Sequence, residues 1–140
     1  MSGLEVVVVD ADSDYIGLEV RASSARYTAT TFIYGQPAEL GAAADAVSAF
    51  AAEVGPDVSV ELGTLDPKYA SGFCGLTFTA VDSLGHIRVR AHVHDAEGRF
   101  DDSRAVLSFH TELGTLDRFS SGLRRIAESR SGLAVLESSD

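Results

Sequence analysis

The chain has 140 residues, few enough for one domain and enough to bury a real core. Its 21 acidic residues against 11 basic ones give a formal net charge of −10, which argues against general nucleic-acid binding because phosphates are repelled. The single cysteine, Cys74, excludes an internal disulfide and a cysteine-rich metal site.

No apolar run approaches the ~18 residues that span a bilayer, and the N-terminus lacks the basic start and long apolar segment of a secretory signal. The expectation is one cytoplasmic domain over residues 1–140 that engages neither membrane nor nucleic acid. Val6 to Val9 is the longest aliphatic run and has the length of a buried strand, placed over residues 4–9. Asp10 to Asp14 then reads as a solvated turn. Its alternating aspartates open like a calcium loop, but Tyr15 stands where such a loop needs glycine.

Ile16, Leu18 and Val20 alternate along residues 15–22. Residues 26–34, rich in Thr, Tyr, Phe and Ile, form the second arm of a hairpin. Pro37 suits the first turn of a helix, where no amide donor is lost. Leu40, Ala43, Val47, Phe50 and Val54 recur at helical spacing, and Gly55-Pro56 ends the helix. A short strand around Val58, Val60 and Leu62 follows, and Asp66-Pro67 opens a turn or a single helical turn.

Three longer strands come next. Leu76, Phe78 and Ala80 face the core in the first, with Cys74 a buried, inert thiol. The turn Asp82 to Gly85 leads into His86-Ile-Arg-Val-Arg-Ala-His-Val-His94, which alternates strictly. Ile87, Val89, Ala91 and Val93 then share one face, and His86, Arg88, Arg90, His92 and His94 share the other. After a polar loop from Asp95 to Ser103, Ala105, Leu107 and Phe109 alternate again, which turns His110 outward. The last helix, from about Gly114 to Arg130, buries Leu116, Phe119, Leu123 and Ile126. Thr111 or Thr115 is expected to cap it, with Arg124, Arg125 and Arg130 toward its negative end. Leu133 to Leu136 forms a closing strand.

Glu61-Leu-Gly-Thr-Leu-Asp66 recurs as Glu112-Leu-Gly-Thr-Leu-Asp117. The surroundings do not repeat. The hexapeptide therefore reads as a local solution in which a strand ends, Gly and Thr turn the chain, and Leu-Asp begins a new element. Hairpins dominate, so the predicted fold is α+β: a single curved antiparallel sheet of six to eight strands with two main helices packed on one face. The basic strand face is then left open to water or to a partner.

Arg88, Arg90, His92, His94 and His110 are the candidate binding residues. Arginine pairs clamp carboxylates or phosphates bidentately, or else pair across strands with Glu19 or Glu61. His92, His94 and His110 are weak candidates for a metal, because a hairpin loop centred near residue 99 sets His92 opposite Val106 and His110 opposite Arg88. The same segment comes near the cupin pattern, but its Gly85 and Glu97 are each one residue out of register. No nucleophile elbow, phosphate-binding loop or dinucleotide motif is present, so no catalytic residue and no cofactor are implied.

Val81-Asp-Ser-Leu-Gly-His86, the alternating strand after it, and Leu113-Gly-Thr-Leu-Asp117 leading into Leu123-Arg-Arg-Ile126 resemble the immunity proteins related to that of the wall-associated toxin, and their actinobacterial relatives. The likeness covers about residues 32–126, and the chain departs from it in having no tryptophan. The resemblance implies a protein that works by binding another protein, with an acidic body suited to a basic toxin. The acidic loops Asp10 to Asp14 and Asp95 to Asp102 are further candidate contacts. Two other readings are a small histidine-based metal- or ligand-binding enzyme, and a domain whose polar face self-associates.

Overall fold

Alternation in the strands and helical spacing in the two amphipathic segments give every element one apolar side. In the computed structural model, which describes residues 2–66, 71–95 and 103–140, these sides meet in one core. The order is β1 (Gly3–Ala11), β2 (Ile16–Ser23), β3 (Thr28–Gly35), α1 (Pro37–Ala52), β4 (Val58–Gly63), β5 (Phe73–Ala80), β6 (His86–Asp95), β7 (Ser103–Glu112), α2 (Leu113–Ser129) and β8 (Leu133–Glu137).

The fold is α+β and antiparallel with two helices, but the strands divide into two four-stranded sheets rather than one sheet of six to eight. Sheet A has the order β3-β2-β1-β8, and sheet B has the order β4-β5-β6-β7. The division follows a topological repeat. Each half of the chain runs through three strands, a helix and a fourth strand, and each fourth strand joins the other half's sheet. β4 pairs with β5, and β8 pairs with β1.

The two seams are closed alike. Beside β3, the Gly72 amide donates to the Phe32 carbonyl at 2.8 Å, and the buried Thr31 hydroxyl donates to the His94 carbonyl at 3.2 Å. Beside β7, the Ser139 amide donates to the His110 carbonyl at 2.8 Å, and the buried Thr111 hydroxyl donates to the Glu137 carbonyl at 2.8 Å. Thr111 is thus a seam residue and not a helix cap. Glu112 occupies the N-cap of α2 and makes no side-chain cap bond.

The helices pack on each other, α1 chiefly against β4 and α2 chiefly against β8, with α2 also touching β7. The Ser120 hydroxyl donates to the Ala44 carbonyl at 2.8 Å, and Arg124 pairs with Asp45 at 2.6 Å. The Phe50 ring lies 6.1 Å from that of Phe78 in β5, and Gly122 sits against Ala134 in β8. The predicted stripe of α2 is buried throughout, and that of α1 is buried as far as Phe50. Val54 falls beyond the end of α1 and is exposed. No basic residue lies in the last turn of α2; Arg130 caps it in the left-handed conformation, at φ 57°.

The two copies of the hexapeptide do not occupy equivalent places. One closes β4, where Gly63 turns the chain at φ +80°. The other carries β7 directly into α2, with Gly114 already helical. The predicted turn at Pro67 lies outside the described residues.

Candidate binding surface

β6 is extended, and its side chains alternate as the sequence requires. Ile87, Val89, Ala91 and Val93 are buried, while His86, Arg88, Arg90 and His92 are exposed and His94 is partly so. Register then fixes the neighbours on the open face of sheet B. Arg90 lies between Thr77 and Ser108, Arg88 between Thr79 and His110, and His92 between Gly75 and Val106. Ser59 bonds Thr77 at 3.1 Å and continues the hydroxyl row onto β4.

Among the described residues, neither Arg88 nor Arg90 makes a salt bridge or hydrogen bond. Glu19 lies in sheet A and pairs with Arg21 at 3.4 Å. Glu61 is two strands away from β6, beyond Gly75. The two guanidinium groups are one strand repeat apart, about 7 Å, and stand beside the hydroxyls of Thr77, Thr79 and Ser108. That arrangement suits carboxylates presented by another molecule.

The histidines do not converge. His110 lies opposite Arg88 and His92 opposite Val106, a separation of four residues or about 13 Å along the sheet. His94 sits at the seam, opposite Arg104, with its carbonyl engaged by Thr31. No group of three or more His, Cys, Asp or Glu suited to a metal occurs among the described residues. The Cys74 thiol is fully buried, and desolvation pushes its pKa up to about 12, so it is not a nucleophile at neutral pH.

Two histidines are instead paired with aspartates. His86 Nδ1 lies 2.6 Å from Asp82 Oδ2, across the β5–β6 turn that Asp82 also braces by accepting the Leu84 amide at 2.8 Å. The hydrogen bond and charge of Asp82 hold the imidazole above its ordinary value of 6.5. At the other end of the face, His110 Nδ1 lies 3.2 Å from Asp140 Oδ1. The His110 amide bond to the second oxygen is the main reason the Asp140 carboxyl is held below its ordinary range. The four-residue spacing of Asp82 and His86 around Gly85 was a signal for the first pair. Nothing local marks the second, whose partners are thirty residues apart.

The acidic turn after β1 is closed by Asp12, which accepts the amides of Asp14 at 2.7 Å and Tyr15 at 3.0 Å. The Asp12 and Asp10 carboxylates hold the Tyr15 hydroxyl above its ordinary value of 10.0. Tyr15 and Tyr34 meet edge to face at 5.7 Å beside a hollow of about 1010 Å³. Of the other acidic loop, only Asp95 belongs to the described residues. Among the described residues, no helix is long and apolar enough to cross a membrane. The chain matches no protein-family model, no curated protein and no solved structure.

Proposed function

We propose that this is a non-enzymatic domain that binds another protein, in the manner of an immunity protein that neutralises a toxin. One observation carries the reading. In a chain with nearly twice as many acids as bases, Arg88 and Arg90 stand exposed and side by side, without a counter-ion among the described residues. A guanidinium pair held on a rigid sheet loses little conformational freedom on binding, so partner carboxylates gain full value from it. The acidic remainder of the surface steers a basic partner into place.

Co-expression with the product of the adjacent gene, followed by size-exclusion chromatography and calorimetry, tests this. The expected result is a stoichiometric complex. Arg88→Glu combined with Arg90→Glu weakens it at least tenfold, since a charge-assisted hydrogen bond contributes about 1.5–3 kcal/mol. The variant's melting temperature stays near that of the native chain, because neither arginine has a hydrogen-bond or ion-pair partner to lose among the described residues. A missing complex, or one indifferent to both substitutions, refutes the reading.

A further inference from the structure

The open face of sheet A differs from that of sheet B in kind. Register lines up Phe32, Glu19, Val7 and Leu133 across all four strands of sheet A. Phe32 is 44% exposed and Leu133 55% exposed. Tyr34, in the next row beyond Gly17 and Asp10, is 50% exposed. On the open face of sheet B, Val106 is the one exposed large apolar side chain among the described residues.

A continuous aliphatic run such as Val6 to Val9 is the pattern of a strand buried on both faces. β1 is buried on one. Val6 is fully buried and Val8 packs against the core, while Val7 stays partly open and Val9, the extra residue at a bulge, is half exposed. Phe32 and Tyr34 on one edge strand and Leu133 on the other thus leave apolar groups open on either side of Glu19 and Val7, and exposed apolar groups gathered on one face mark contact surfaces.

Charge on the same face selects the partner. Glu5, Glu19, Glu137 and Asp10 lie on it against a single base, Arg21, which is engaged with Glu19. Glu5 and Glu137 have no counter-ion among the described residues. Glu5 and Arg21 also line a shallow hollow of about 390 Å³ with Thr30 and Val135. Two copies joined through this face set glutamates against glutamates, which opposes a symmetric dimer.

We infer that the outer face of sheet A is a docking surface for a protein partner that presents apolar anchors flanked by lysine or arginine. The inference rests on the protein-binding reading above and adds a second contact face to it.

The probe is a fluorescein-labelled peptide of alternating lysine and phenylalanine, about ten residues long, with a glutamate-for-lysine peptide as its control. Fluorescence anisotropy is expected to show binding of the basic peptide alone, weakened by salt. Phe32→Ser with Leu133→Ser, and separately Glu5→Gln with Glu137→Gln, should each weaken it at least tenfold. Leu84→Ser, which removes an exposed apolar side chain in the β5–β6 turn without changing charge, should leave it unchanged. Binding of both peptides alike, of neither, or binding that survives both face-A variants overturns the inference. So does concentration-dependent dimerisation in sedimentation velocity that Phe32→Ser with Leu133→Ser abolishes, which assigns the face to a second copy. With the adjacent-gene product, a complex that Arg88→Glu with Arg90→Glu breaks and Phe32→Ser with Leu133→Ser spares overturns this inference while the wider reading stands. Absence of any complex refutes the wider reading, and peptide binding then decides the face alone.

Discussion

His86 is held by a carboxylate four residues back, and the pair predicts a definite pH dependence. The imidazole is raised above 6.5 by its hydrogen bond to Asp82 and then by the charge of Asp82, with Glu112 adding to it. A raised histidine contributes its stability fully below its unfolded value and loses it as pH rises through the folded one. Asp82 is lowered from 3.8, first by the same hydrogen bond, so its contribution is present above 3.8 and is lost on acidification. The pair therefore stabilises most between about 3.8 and 6.5. Melting curves of the native chain and of His86→Gln should differ most near pH 5.5 and converge toward roughly pH 8.5. A gap that stays constant across this range shows that the turn and not the charge matters. The outward set of β6 was legible because strand periodicity is strict and the partner register followed from one hairpin. The clip of Asp140 on His110 was not, because it depends on where β8 brings the end of the chain.

Among the elements, two helical glycines look alike in sequence and differ in what surrounds them. Gly41 in α1 has nothing within 4 Å of where a Cβ would stand, so Gly41→Ala should stabilise by about 0.5–1 kcal/mol through helix propensity alone. At Gly122 in α2 a Cβ would come within 2.9 Å of the Ala134 Cβ and 3.1 Å of its Cα. Backbone on β8 cannot step aside, so an overpacking penalty of about 1–3 kcal/mol outweighs the same propensity gain. Chemical denaturation of both variants checks the contrast, and a stabilised Gly122→Ala would show that α2 does not press on β8. Helix stripes and strand alternation were readable because each is a local periodicity. The aliphatic run of β1 misled for the opposite reason. It states how apolar the strand is, whereas the cover on its second face is a matter of what lies opposite.

At the scale of the whole molecule, the exchange of β4 and β8 makes each half depend on the other. Sequence suggested hairpins, and adjacent hairpins extend naturally into one sheet. The split into two arises because the strand after each helix crosses to the opposite half, a non-local choice with no local mark. The repeated hexapeptide points away from this symmetry, since its copies close β4 and β7, which are not equivalent strands. Without β5, β4 has no pairing partner; without β8, an edge of β1 is bare and part of its core cover is gone. A fragment of residues 1–66 should therefore lack cooperative unfolding, as should a fragment of residues 71–140. Mixed in equal amounts, the two should regain near-ultraviolet circular dichroism and a single transition, because the helix–helix contact and both exchanged strands are restored. Cooperative melting of the 1–66 fragment alone would show that its strands close on themselves, and the interlocked arrangement of the two sheets would then be wrong.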